Sequence, residues 1–212
     1  MAQYDIFEQG CCIHLPPAGL QVYGSPGGQS IGTLKTYEGD TQPEQSFSFY
    51  LHTAEGVAKL DWQSLDFFMV GYEVTALTYS KKQEDYVMHK EGFWFSISEI
   101  KAQQFELTDW RTYLLNKSDD VLGYYAEEPG LRLREGPGTQ YKSLMTLKGD
   151  LFEIKLMPQK DGLWQKVKVS EYTEHPCEGG DPKETIINRY EGWIKLLSDE
   201  HKPNVWYYGK GC

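Results

Sequence analysis

The sequence has no long hydrophobic run. A membrane-spanning helix needs roughly 18 consecutive apolar residues, and the most apolar stretch, Leu65 to Tyr72, is short and carries Asp66 and Gly71. No membrane span is expected. Positive charge is scarce as well: 21 Lys and Arg stand against 31 Asp and Glu, a formal net charge of -10. Such a surface repels phosphate backbones and anionic headgroups, so nucleic acid is not an expected partner. Cysteine is sparse, four in 212 residues, too few for a disulfide scaffold. The amino terminus, MAQYDIFEQGCC, has neither a basic n-region nor an apolar h-region and holds Asp5 and Glu8. As written it implies a cytoplasmic protein; a chain whose export signal had been removed would be periplasmic or extracellular. No Gly-rich run opens a helix, so a nucleotide cradle is unsupported.

What is present is an internal repeat. GLQVYGSPGGQSIGTLKTYEGD, Gly19 to Asp40, reads against GLRLREGPGTQYKSLMTLKGD, Gly130 to Asp150, with one residue of slippage. Both copies close on Glu-Gly-aromatic, at Glu91-Gly92-Phe93 and Glu191-Gly192-Trp193. Leu20 and Val22, like Leu131 and Leu133, alternate as one face of a strand does. Pro26-Gly27 and Pro137-Gly138 then predict chain reversals, because proline fixes φ and glycine admits positive φ. A second tight turn is expected at Glu38-Gly39-Asp40 and at Lys148-Gly149-Asp150. The copies differ in their long loops. Phe47, Phe49 and Leu51 alternate as an added strand in the first, and Glu171 to Glu184 is a polar acidic loop in the second. Short strands with Gly/Pro punctuation argue for small β-barrels.

Between the copies, Ser98 to Lys117 contains one convincing helical segment, with Thr108 as N-cap and Trp110 facing Leu114 at i,i+4. Residues 203–212, PNVWYYGKGC, are too aromatic for a free tail and should pack back on the second copy.

The second copy resembles the bacterial SH3-like (SH3b) domain family. The family pattern, roughly L-N-V-R-x-G-P-G-T-x-Y, then K-G-D, W-x-K-V and a closing G-W-V/I, is met by Leu131, Arg134, Gly136, Pro137, Gly138, Thr139 and Tyr141. It continues through Lys148, Gly149, Asp150, Trp164, Lys166, Val167, Gly192, Trp193 and Ile194. Arg132 stands where Asn is usual. The first copy resembles a degenerate member that has Tyr23 in place of the family Arg. The expected architecture is all-β: a degenerate SH3-like barrel with an insertion over 1–100, a short helical connector over 101–125, and an SH3-like barrel with an aromatic tail over 126–212. That consumes the chain and leaves no room for a catalytic domain of about 100 residues, so no enzyme activity and no cofactor are expected. The resemblance implies a non-catalytic module that recognises a peptide, a peptidoglycan peptide or a protein. A cytosolic alternative is an antagonist of a basic toxin or similar partner, suggested by the acidic charge.

Aromatic residues are the binding candidates. In LWQKVKV, parity puts Leu163, Gln165, Val167 and Val169 on one face and Trp164, Lys166 and Lys168 on the other. Trp164 with Tyr141 and Tyr190 is expected to line a shallow groove, with Arg134 as a fixed donor fork for a ligand carboxylate. The competing reading caps Trp164 under the long loop and puts Trp193 in the core. Phe93, Trp94 and Phe95 read as core. Cys177 and Cys212 would form a disulfide pinning the tail if the protein is exported. Cys11, Cys12 and His14 offer metal donors, but their spacing matches no closed four-ligand site and no metal is expected. Adjacent cysteines on a strand point to opposite faces, so a bond between Cys11 and Cys12 is disfavoured.

Overall fold

The structure is a computed structural model and describes residues 10–39, 48–61, 65, 67–71, 74–175 and 185–209. The chain is mostly β, with 56% strand and 9% helix arranged in three antiparallel sheets, which bears out the all-β expectation at that level. No helix among the described residues is long and apolar enough to cross a membrane. Two compact units divide at Asp109/Trp110.

The first unit contains β1 (Gly10–Ile13), β2 (Leu20–Tyr23), β3 (Ser30–Lys35), β4 (Phe49–Thr53) and β5 (Gly56–Leu60). It goes on through β6 (Phe67–Gly71), β7 (Val74–Tyr79), β8 (Lys81–Gln83), β9 (Tyr86–Met88) and β10 (Trp94–Ser96) to α1 (Ile97–Ala102). Its strands form a three-stranded sheet, β1-β7-β6, and a seven-stranded sheet, β5-β4-β3-β2-β10-β9-β8. Both sheets contribute to one core: Ile13 and Leu77 come from the smaller sheet, Val22, Leu34, Phe49, Val87 and Phe95 from the larger. Each such fully buried side chain stabilises the fold by roughly 1.5–3 kcal/mol. Trp94 and Phe95 are buried as expected, and Phe93 packs against the core from its edge. α1 begins with Ser96-x-x-Glu99: the Ser96 Oγ accepts from Glu99 N at 3.2 Å, the first half of a capping box. The Glu99 carboxylate does not complete the box but accepts from the Tyr23 hydroxyl.

The second unit contains α2 (Trp110–Lys117), β11 (Val121–Arg134), β12 (Ser143–Asp161), β13 (Trp164–Tyr172), β14 (Ile186–Lys195) and β15 (Trp206–Gly209). α2 is the expected helix, starting two residues beyond Thr108. Thr108 instead bridges to Cys11, with Cys11 N donating to Thr108 O at 2.9 Å and Thr108 N to Cys11 O at 2.6 Å. Trp110 and Leu114 are buried, and the rings of Trp110 and Tyr113 pack on Trp206 at 6.1 and 6.2 Å. The aromatic tail thus folds back through β15, which pairs with β11 at Tyr124↔Tyr207 and Tyr125↔Trp206. β12 pairs with β11 along Ser143–Leu147 and again at Gly149 and Ile154, and with β13 along Phe152–Leu156 and again at Lys160 and Asp161. β13 pairs with β14, and β14 returns to β11 at Arg134↔Trp193.

The repeat is visible as a shared hairpin. In the first copy Leu20↔Leu34 and Gln21↔Thr33 face each other; in the second Leu131↔Leu147 and Arg132↔Thr146 do. The glycine before each strand is in the left-handed region, Gly19 at φ 82° and Gly130 at φ 94°. A Cβ on either would lie 2.6 Å from the partner carbonyl oxygen, of Leu34 or of Leu147. Two expected features differ. Gly138 does not adopt positive φ although Gly27 does; its N–H donates to Gly136 O at 3.0 Å instead. Lys148-Gly149-Asp150 is no reversal either: β12 runs straight through it, with Gly149 at φ 72° supplying a bend inside the strand.

The close approach at Gly130 separates it from Gly149, where a Cβ would meet nothing within 4 Å. Gly149→Ala should cost about 1 kcal/mol for φ alone, and Gly130→Ala about 3 kcal/mol because backbone must also move. Urea unfolding followed by near-UV circular dichroism measures both; equal shifts would count against the steric argument.

Candidate functional site

The register of β13 against its neighbours fixes which side chains share a face, because directly opposed residues of an antiparallel pair point the same way. Gln165, Val167 and Val169 are buried at 0–1% exposure, and they oppose Ile194, Gly192 and Tyr190. The other face carries the rows Trp164/Lys195, Lys166/Trp193, Lys168/Glu191 and Ser170/Arg189, with Lys155 of β12 opposite Lys168. Trp164, Lys166, Trp193 and Lys195 are half-buried; Lys168, Arg189 and Glu191 are exposed. This is the parity read from LWQKVKV. It makes an open sheet face with two indoles toward the Trp164 end and Lys168 and Arg189 toward the other.

Of the four residues expected to line a groove, the structure puts two on this face. Trp164 opens β13, next to a turn held by Arg111, whose guanidinium donates to Gly162 O at 2.6 Å and to Trp164 O at 3.5 Å. Arg134 shares the face through its pairing with Trp193. Tyr190 does not: it opposes Val169 and so lies on the other face, where its hydroxyl donates to Glu171 Oε2 at 2.8 Å, beside Asn188 Nδ2 at 2.8 Å on the same oxygen. Tyr141 is in the loop between β11 and β12, 42% exposed, with its ring laid over Gly136 so closely that no Cβ would fit there.

Arg134 has a different role from a free donor fork. Its Nη1 donates to Tyr141 O at 2.8 Å and to Thr139 O at 3.2 Å, so the guanidinium ties down the Gly-Pro-Gly corner. The physical reason is that the loop carbonyls have no strand partner, and a rigid multi-donor side chain satisfies two at once. Its charge still contributes to the face. Trp193, which the sequence left between core and surface, stands on the open face between Arg134 and Lys166. The parity of Gly192 and Ile194, both buried, could have revealed it.

Three ion pairs involve side chains of this surface, one of them Lys195 Nζ with Asp199 Oδ1 at 2.5 Å. Lys166 Nζ lies 2.6 Å from Glu191 Oε1, and Lys155 Nζ lies 2.8 Å from Glu153 Oε1. The Lys166 ammonium, through its hydrogen bond and then its charge, holds the Glu191 carboxyl below the usual range. Glu153 is largely covered and also accepts from the Tyr172 hydroxyl. Burial, then that bond, push the Tyr172 phenol up to about 12. Beside this end of the face, a cleft of about 330 Å³ is lined in part by Ser118, Asp119, Leu122, Gly123, Lys155 and Leu156.

The remaining sequence candidates lie elsewhere. Cys11 and Cys12 are buried in β1. The expectation that they point apart is corrected: the structure brings the Cys11 and Cys12 sulfurs together. His14 stacks on Phe105 with centroids 4.8 Å apart, and His52 Nε2 lies 2.9 Å from Tyr37 O. Among the described residues no group of three or more His, Cys, Asp or Glu is placed to hold a metal. Cys177 and Cys212 lie outside the described residues. Comparison of the chain with protein-family models, with curated proteins and with solved structures finds no match.

The raised Tyr172 phenol gives the second unit an alkaline limit. Below pH 10 the phenol is protonated whether the chain is folded or not. Above it the unfolded form ionises first, so the stability this group contributes is lost as pH rises from about 10 to about 12. Tyr172→Phe should therefore lose less stability than the unaltered protein between pH 9 and pH 11.5 in urea titrations. An unchanged pH slope would show that the phenol is not held protonated by the fold.

Proposed function

We propose that the protein is a non-catalytic binding module that recognises a peptide through the open face of β13 and β14 and the adjoining corner loop. The observation that carries this is the placement of Trp164 and Trp193 on one solvent-facing side of the sheet, both next to Lys166, one along β13 and one across from it on β14. Large indoles on a wet face give a ligand apolar contact area at low entropic cost, and neighbouring cations fix its polarity. An SH3-like barrel for residues 126–212 is part of the same reading. It is supported by the motif residues and by the cycle of pairings in which β11 meets both β12 and β14. We read the first unit as an elaborated relative that keeps the hairpin and its glycine.

The ligand class comes from the SH3b resemblance, which favours a peptidoglycan stem peptide, and an exported protein would meet one. Retention of the full chain on purified sacculi, and binding to a stem-peptide array, test the reading. Trp164→Ala should weaken binding at least tenfold without lowering the unfolding free energy by more than about 1 kcal/mol, because the side chain is half-exposed. Absence of retention in both formats, or retention indifferent to Trp164, would overturn it.

A second reading is favoured by the uneven charge. Met1–Asp109 carries six Lys and Arg against fifteen Asp and Glu, while Trp110–Cys212 carries fifteen against sixteen. The acidity is concentrated in the first unit, which suits electrostatic capture of a basic protein such as a cytosolic toxin domain. Pull-down from native lysate at 50 and 500 mM NaCl should then recover a basic partner at low salt only. Recovery of none at low salt would sink this second reading.

A further inference from the structure

We propose that the open face of β13 and β14 selects an acidic, extended peptide, with an apolar residue at its Trp164 end and carboxylates at its Lys168 end. This rests on the peptide-binding reading above and names the ligand's chemistry. The first observation is local charge. In a chain of net charge -10, this face gathers Lys155, Lys166, Lys168 and Arg189 within neighbouring register positions, with Arg134 beyond Trp193. Glu191 answers Lys166 and the covered Glu153 answers Lys155, so the patch stays positive. Screening limits each charge to a radius of about 8 Å at physiological salt. A ligand on the face therefore senses the charges of the patch itself.

The second observation is a like-charge pair. Lys155 and Lys168 are directly opposed across β12 and β13, and like charges so placed cost stability. Glu153 already answers Lys155 and Glu191 opposes Lys168 on its other side; a ligand carboxylate between the two ammoniums would add to that compensation. The third is spacing. Trp164, Lys166 and Lys168 project from alternate residues of one strand, about 6.8 Å apart, which is also the repeat of same-side residues in an extended peptide. A peptide of the form apolar-x-Glu-x-Glu therefore matches the strip side chain for side chain. Single-stranded nucleic acid fits less well. It needs a stacking ring for each successive base, whereas here both indoles are at one end and the free cations at the other.

The test uses the full chain and fluorescein-labelled peptides Pro-Gly-Glu-Gly-Glu and Pro-Gly-Gln-Gly-Gln, with oligo-dT as a third probe, read by anisotropy at 50 and 300 mM NaCl. The acidic peptide should bind at least tenfold more tightly than the Gln peptide at low salt and lose most of that advantage at high salt. Lys168→Glu with Arg189→Glu should abolish the preference. The milder Lys168→Gln with Arg189→Gln should reduce it, and guards against misfolding of the reversed variant. Trp164→Ala should weaken both peptides alike. Equal binding of the two peptides overturns the acidic preference and leaves the peptide reading standing. Binding of neither overturns the acidic ligand, and the sacculus and array assays then decide the peptide reading separately. Tighter binding of oligo-dT overturns the proposal in favour of a nucleic acid.

Discussion

One strand with two partners organises the second unit. β12 pairs with β11 between Ser143 and Ile154 and with β13 between Phe152 and Asp161, so the two ladders overlap, and its register with β11 shifts beside Gly149, which requires the strands to bend. Glycines allow it: Gly149 bends β12 at φ 72°, and Gly130 bends β11 at φ 94° with the Leu147 carbonyl too close for any side chain. Bent and shared strands are how a small sheet curls around its own core without leaving long edges. Val167 and Val169 turn inward to the core, and strand alternation leaves Trp164, Lys166 and Lys168 the open side.

The features legible in the sequence were those encoded by local chemistry. Alternation in LWQKVKV separates the two faces of β13 without knowledge of any partner strand. The repeat predicts equivalent hairpins, and the structure pairs Leu20 with Leu34 as it pairs Leu131 with Leu147. Ser96-x-x-Glu99 in front of Ile97 and Ile100 was a readable capping signal for α1 that the wider helical pattern around Trp110 obscured. What could not be read depends on which residues meet across strands. Tyr190 groups with Trp164 and Tyr141 as an aromatic groove residue in the sequence, but the β13–β14 register opposes it to Val169 and turns it away. The turn expected at Lys148-Gly149-Asp150 failed for a related reason. Glycine at positive φ serves a bend within a strand as readily as a reversal, and only the pairing on either side distinguishes them.

Arg134 illustrates how a functional-looking residue can be recruited by the scaffold. A guanidinium near exposed rings suggests carboxylate recognition, yet its Nη1 serves the carbonyls of Thr139 and Tyr141. The equivalent position in the first copy is Tyr23, whose hydroxyl reaches Glu99 at the start of α1. Both side chains leave the same strand end and secure the segment beside it, a loop in one unit and a helix in the other. The exchange of Arg for Tyr therefore tracks a change in what has to be held.

Gln165 makes the same point from inside the core. It is fully buried between two outward residues, Trp164 and Lys166, at a position where an aliphatic side chain would pack without a polar group to satisfy. Its amide donates to the carbonyls of Met157 and, at 3.1 Å, Gln159. Those carbonyls lie where the β12–β13 register slips, between Leu156 and Lys160, and the slip deprives them of ladder partners. Leaving them bare would cost about 1–3 kcal/mol each. The Gln165 Oε1 left without a partner is the smaller penalty, since one orphan replaces two. By anchoring the slip from within, Gln165 fixes the strand on both sides of itself. Trp164 and Lys166, its neighbours on either side, take the open face by strand alternation, with the Trp164 carbonyl held by Arg111 and the Lys166 ammonium paired with Glu191.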